Sequence, residues 1–225
     1  MKYFKDLTKF EFGLWIVSAV VVTVSFLLVP NKDILSLLAS LIGVTALIFV
    51  SKGYVLGQIL FIAFALFYGI ISIYFKYYGE MITYFFMSTP MAICVTIEWY
   101  KNPYKESKEV TVNSINRKQI VTMIVLSAFV TFVFYFILKA MGTANLLFST
   151  ISIATSFIAA YLTYLRSPYY AIGYCANDIV LIVLWILASI KDIAYIPMIF
   201  CFIMFFANDI YGFINWTRMK EKQTE

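Results

Sequence analysis

The chain has 225 residues, 63% of them hydrophobic and 13% charged, with a mean hydropathy of +0.88 and a formal net charge of +5. A soluble domain of this length carries about 25% charged residues, so a water-soluble fold is excluded and the rules of the bilayer apply. Histidine is absent, which removes the commonest metal ligand, the zinc-protease helix motif and any serine–histidine dyad.

The expected fold class is an all-α polytopic membrane protein in one integral domain. A span needs about 20 apolar residues, and eight runs qualify: Phe12–Val29, Ile34–Val50, Tyr54–Phe75, Met81–Trp99, Ile120–Leu138, Leu146–Leu165, Tyr169–Ile190 and Ala194–Trp216. The first run follows a basic start, but it is long and no small-residue cleavage pattern follows it, so it is expected to remain as a span. In the third run, Gln58 is an amide that must find partners in lipid. Tyr68 lies further along the same run, and Gly53-x-x-x-Gly57 is a pattern that permits close helix contact. In the fourth, Pro90 is expected to kink the helix and free a carbonyl. The fourth and eighth runs close with Trp99 and Trp216, each followed by basic residues, and both tryptophans are expected to anchor at the membrane interface. Between the fourth and fifth runs, "YKNPYKESKEVTVNSINRKQ" is the one long connection and reads as a solvated loop of mixed charge.

All but four of the 17 basic residues fall on one side of this arrangement. They are Lys2, Lys5 and Lys9, then Lys52, the five of the long loop, Arg166, and the last three at Arg218, Lys220 and Lys222; Lys32, Lys76, Lys139 and Lys191 lie opposite. The excess places both termini in the cytoplasm and requires an even number of spans. Since topology accounts for the basic residues, no nucleic-acid partner is expected. The partners are the lipid bilayer and a small molecule.

An internal echo relates two stretches. "SLIGVTALIF" (Ser40–Phe49) is similar to "TISIATSFIA" (Thr150–Ala159), and "CVTIEWYK" (Cys94–Lys101) to "YGFINWTR" (Tyr211–Arg218). The expected organisation is therefore an added N-terminal span over residues 1–30, a triple-helix unit over 34–99, a cytoplasmic loop over 100–119, a connector span over 120–139, a second triple-helix unit over 146–216 and a tail over 217–225. One connecting span makes the two units a parallel repeat, an arrangement that transporters use to hold substrate midway at the interface.

The sharpest feature is a doubled tetrapeptide, Ala176-Asn177-Asp178-Ile179 and Ala207-Asn208-Asp209-Ile210. Asp178 lies about 14 Å inside the seventh span and Asp209 about 11 Å inside the eighth. A carboxylate at such a depth costs about 2.5–3.5 kcal/mol or more unless it faces protein or water. Tyr174, Asp178 and Trp185 share one helical face; Asn208, Tyr211 and Asn215 share another. Aromatic rings, amides and a carboxylate suit a flat, polar, cationic molecule. The same groups also serve to knit helices together, the role assigned to Asp209, or to relay protons. The candidate substrate-binding residues are Gln58, Tyr68, Tyr174, Asn177, Asp178, Trp185, Asn208 and Tyr211. No catalytic residue, metal or cofactor is expected. Cys94, Cys175 and Cys201 lie in apolar runs without CxxC spacing and read as small buried hydrophobes.

The segments Tyr77–Pro103 ("YYGEMITYFFMSTPMAICVTIEWYKNP"), Tyr169–Trp185 ("YYAIGYCANDIVLIVLW") and Asn208–Lys220 ("NDIYGFINWTRMK") resemble the PnuC family of bacterial vitamin transporters, with the likeness running from Ile34 to Lys220. The resemblance implies a core of three, one and three helices related to the SWEET sugar transporters. It implies uptake of nicotinamide riboside, with nicotinamide mononucleotide as a proposed alternative, by facilitated diffusion with alternating access. It further implies trapping by a cytoplasmic kinase in the service of NAD biosynthesis, a homo-oligomer with a trimer as one state, and the bacterial plasma membrane as location. One departure bears on the substrate. Relatives that carry nicotinamide riboside have two tryptophans before the polar residue of this span, where Ala171 and Tyr174 stand here. A carrier for thiamine or another vitamin, and a non-transporting scaffold or sensor, are the alternatives.

Overall fold

The computed structural model describes residues 3–30, 33–74 and 78–224. Among them are the helices α1 (Lys9–Leu28), α2 (Ile34–Ser51), α3 (Val55–Tyr74), α4 (Tyr78–Thr83), α5 (Thr89–Lys101), α6 (Arg117–Ala140), α7 (Leu146–Tyr164), α8 (Tyr170–Ser189) and α9 (Ile196–Thr224). A π-helical turn, Tyr84–Ser88, joins α4 to α5 so that they cross as one span. Eight helical segments are long and apolar enough to cross a membrane, as the hydropathy requires. The expected end of the third span at Phe75, the start of the fourth-span motif at Tyr77, and the basic positions Lys2, Lys32 and Lys76 lie outside the described residues.

Local chemistry sets the helix ends. Thr8 and Glu11 form a reciprocal capping box at the start of α1, and Asn116 and Gln119 form another at the start of α6. Each pair satisfies two backbone donors that the first turn leaves open. Asp33 caps α2 by accepting from the Leu35 and Ser36 amides. Helix α9 runs on through Trp216 to Thr224, so the stretch after the last span is helical rather than a loose tail.

The helices pack as α2 against α3, α7 against α8, and α8 against α9. Contacts of α2 with α9 and of α5 with α7 join the two groups, α6 lies along α7, and α1 lies across α2 and α9. Where α7 meets α8 the backbones touch: a Cβ on Gly173 would lie 2.9 Å from Ala159 Cα. Such small-residue contacts replace the hydrophobic drive that lipid removes.

Trp99 and Trp216 are not interface anchors. Both are 0% exposed, with ring centroids 5.2 Å apart. Trp99 Nε1 donates to the Thr163 carbonyl near the end of α7, and Trp216 Nε1 to the Val50 carbonyl near the end of α2, each at 2.9 Å. An indole whose N–H finds a partner is free to sit in the core, and here each one closes the open end of a helix on the opposite side of the bundle.

The long connection is also not simply solvated. Val110 is buried; its amide donates to the Gly53 carbonyl, and the Asn113 amide donates to the Arg166 carbonyl. Gln223 brackets Val110 and Val112, accepting from the Val112 amide and donating to the Val110 carbonyl. The strap therefore ties the α2–α3 turn, the α7–α8 turn and the end of α9 at one end of the molecule. Lys108 reaches Asp6 at the same end.

Helix α1 is fastened by polar contacts. Glu11, 1% exposed, meets Lys52 Nζ at 3.1 Å and accepts from Tyr211 Oη at 2.7 Å. Trp15 Nε1 donates to Thr45 Oγ1 of α2 at 3.0 Å, and Asn208 Nδ2 of α9 donates to Ser18 Oγ at 2.9 Å.

Two expectations follow. Gly173→Ala should lower stability in detergent by about 1–3 kcal/mol through overpacking. Gly13→Ala, where a Cβ meets nothing within 4 Å, should be neutral or raise it by up to about 1 kcal/mol. Lys52→Met strands a buried carboxylate, and the thermal midpoint should drop by the equivalent of about 3–5 kcal/mol; Glu11→Gln with Lys52→Met should recover part of that loss.

Candidate functional site

The cavity at the centre of the bundle is built by α2 to α5, the π turn and α7 to α9, with Leu47 the residue from α2. Helix α3 contributes Gln58, Phe61 and Phe64, spaced along one helical face. The π turn contributes Tyr84, Met87 and Ser88, and Thr83 precedes it. Helix α5 adds Met91, and α7 adds Ser152 and Ser156, one turn apart. Helix α8 presents Tyr174, Asn177, Asp178 and Leu181; α9 presents Phe202, Phe205 and Asp209. The cavity measures about 90 Å³, whereas pockets that hold a small organic ligand run to about 300–1,000 Å³. A ligand of that size does not fit the space these walls enclose.

The π turn has a local cause. Pro90 has no amide N–H to give to the turn before it, and the chain accommodates the gap by widening one turn at Tyr84–Ser88. The expected kink thus takes the form of a π bulge, a feature that recurs at functional sites. It turns Tyr84 and Ser88 toward the cavity.

Asn177 is held by its acyl oxygen. Ser152 Oγ, Thr155 Oγ1 and Ser156 Oγ lie 3.1, 2.9 and 2.9 Å from it. The three hydroxyls orient the amide, and its NH₂ group has no partner among the described residues, which leaves two donors for a ligand. Asp178 and Asp209 are each 3% exposed and near enough for their carboxyl groups to interact directly. One oxygen of Asp178 has no hydrogen-bond partner among the described residues. No Lys or Arg is among the described residues that line the cavity.

Four of the eight sequence candidates come together here: Gln58, Tyr174, Asn177 and Asp178. The other four do not. Tyr68 stands behind the wall, its ring 5.2 Å from Phe64 and 5.0 Å from Tyr84, with its hydroxyl donating to Met198 Sδ. Trp185 lines a separate cleft of about 490 Å³ with Lys191, Asp192 and Tyr195; Leu181 borders both spaces. Asn208 and Tyr211 are taken up by Ser18 and Glu11 of α1, because their face of α9 is the one on which α1 lies. The residue one step round the helix, Asp209, faces the cavity instead.

Phe61, Phe64, Tyr84, Ser152 and Ser156 are lining residues that were not among the sequence candidates, and Asp209, assigned a helix-knitting role from its pattern, lines the cavity as well. A signal existed for some of them: Phe202, Phe205 and Asp209 follow the i, i+3, i+7 spacing of a helix face. Ala171, at the place of the second tryptophan in the resembled family, is 0% exposed among Trp99, Tyr170 and Trp216. It does not border the cavity. The rings missing from α8 are supplied by α3 and the π turn.

A bundle of eight membrane-length helices around a polar chamber is an integral membrane transporter, and comparison with known proteins agrees. Residues 33–218 match the family described as nicotinamide mononucleotide transporter, and the chain belongs to that family, one of transporters and not of enzymes. The match begins at the cap of α2, so α1 lies outside it. The chain is 25% identical over 206 residues to the nicotinamide riboside transporter PnuC of Neisseria mucosa, covering 89% of this chain and 78% of that protein. It also matches the crystal structure of the vitamin B3 transporter PnuC with a TM-score of 0.81 at 24% identity, covering 96% of this chain and 94% of that one. That likeness establishes the fold.

Asn177→Leu removes the acceptor that Ser152 and Ser156 share. Thermal unfolding in detergent should show a loss of about 1–3 kcal/mol; Ser156→Ala, which leaves the other hydroxyls in place, should lose less.

Proposed function

We propose that this chain carries a pyridine nucleoside, nicotinamide riboside, into the cell by facilitated diffusion. The observation that carries the reading is the central cavity, in which aromatic rings, amide donors and a carboxyl pair converge with no basic side chain among the described lining residues. A nicotinamide riboside is a flat pyridinium cation on a ribose. Tyr174, Phe61 and Phe64 offer faces to the ring. Gln58 and the Asn177 NH₂ group offer hydrogen bonds to the hydroxyls, and Asp178 with Asp209 offers countercharge.

The same inventory bears on the mononucleotide. A phosphate brings added negative charge beside two carboxyl groups, with no Lys or Arg to receive it, and an uncompensated buried charge is costly. The nucleoside is therefore the favoured cargo. A cytoplasmic kinase that phosphorylates it converts it into a species the cavity repels, which makes uptake one-way without a pump.

Alternating access is supported by the small volume of the cavity, which has to open for a ligand of this size to enter. The two triple-helix units are the moving bodies. Their parallel-repeat relation is supported by the reciprocal hydrogen bonds of Trp99 and Trp216 across the bundle. Orientation with both termini in the cytoplasm of a bacterial plasma membrane is supported by the strapped end, where Lys52, Lys108 and Arg166 gather. A homo-oligomer, with a trimer as one state, belongs to the same proposal, and native mass spectrometry of the purified protein reads it directly.

Calorimetry against nicotinamide riboside, nicotinamide mononucleotide and thiamine tests the reading. The riboside should bind at least about tenfold more tightly than the mononucleotide, a difference of about 1.4 kcal/mol. Asp178→Asn should weaken the cation more than its uncharged dihydropyridine isostere. Equal loss for both would rule out charge pairing. Binding of thiamine in preference to the riboside would move the assignment to that vitamin, since a thiazolium cation draws on the same rings and carboxyl groups.

A further inference from the structure

Asp178, Leu181 and Trp185 fall at i, i+3 and i+7 of α8 and share one helical face. Asp178 borders the central cavity, Leu181 borders both that cavity and the cleft at the end opposite the strap, and Trp185 lines the cleft. At a rise of about 1.5 Å per residue, Trp185 lies about 10 Å beyond Asp178 along the helix. A single face of α8 therefore leads from the cleft to the candidate site. The cleft measures about 490 Å³, within the range of about 300–1,000 Å³ that holds a small organic ligand.

The walls of the cleft carry what a flat cation on a sugar requires. Trp185 and Tyr195 stand with ring centroids 5.7 Å apart and form a continuous aromatic surface. Indole is the best side-chain face for a cation. Trp185 Nε1 is buried without a hydrogen-bond partner among the described residues, and so is Thr143 Oγ1 on the same wall. A buried indole N–H ordinarily finds an acceptor, and a hydroxyl of the cargo brought against this wall supplies one. Asp192 is exposed and engages one oxygen with the Ala194 amide at 2.9 Å; its carboxylate offers countercharge. Lys191, exposed beside it, offers N–H donors.

We propose that this cleft is a second binding site for the substrate cation, where the pyridinium stacks on Trp185 before it passes Leu181 to reach Asp178. The proposal rests on the cationic-substrate reading above. Capture at the cleft couples no other ion, so transport stays passive. In the orientation proposed above the cleft faces the outside, where it raises the local concentration of a dilute nucleoside.

The test reads Trp185 directly. A pyridinium in contact with an excited indole accepts an electron and quenches its fluorescence. Titration of the full chain in detergent with nicotinamide riboside should show a quenching component that is absent from Trp185→Phe and retained in Asp178→Asn. Trp99 and Trp216, both 0% exposed, are closed to such contact. In proteoliposomes, Trp185→Ala should raise the half-saturating concentration for uptake about tenfold with little change in maximal rate, and Trp185→Phe, which keeps a ring, should raise it less. Equal quenching in wild type and Trp185→Phe would overturn the proposal, as would an unchanged half-saturating concentration in Trp185→Ala or loss of the quenching component in Asp178→Asn. Each of these leaves the substrate reading intact when calorimetry shows the riboside bound. If nicotinamide riboside neither binds nor quenches while thiamine quenches through Trp185, the substrate reading fails and the cleft site stands.

Discussion

Carboxyl and amide groups in the interior of a bilayer must be satisfied by the protein itself or by its cargo, and most of this molecule is arranged around that demand. Asn177 is met by three hydroxyls from α7. Asn208 is met by Ser18, and Glu11 by Lys52 and Tyr211. After these pairings, Asp178, Asp209, Gln58 and the NH₂ group of Asn177 stand at the wall of one cavity. In a bundle where apolar burial gains little over lipid, the groups that remain unpaired are what separate a chamber from a mere packing gap.

Helix α1 takes part in this partition. By accepting the faces of α9 that bear Asn208 and Tyr211, it removes them from any ligand and leaves Asp209 as the polar residue of α9 at the centre. It also spans α2 and α9, the contact that joins the two halves of the bundle. It is fastened to both halves by polar contacts at Glu11, Trp15 and Ser18.

The two tryptophans at the strapped end hold the halves together. Each indole donates to the last turn of a helix in the other half, and their rings touch. The strap passes over this contact through Val110 and Gln223. The opposite end, where Trp185, Lys191 and Asp192 surround an open cleft, has no equivalent closure among the described residues. Leu181 borders both that cleft and the central cavity.

Hydropathy alone determined the number of spans, because a 20-residue apolar run has only one stable use in water or lipid. Composition alone removed histidine chemistry, and the depth of Asn177-Asp178 within its run marked α8 as the helix with polar business at the centre. The rotation of each helix about its axis was decided only by tertiary packing. Asn208 and Asp209 are adjacent in sequence and about 100° apart on the helix, and the neighbour α1 settles which of them is consumed. The aromatic wall from Phe61, Phe64 and Tyr84 likewise depends on how α3 and the π turn face α8. The burial of Trp99 and Trp216 depends on carbonyls more than 60 residues away in the chain. A helical pattern names the residues that share a face, but what that face meets is fixed by the other helices.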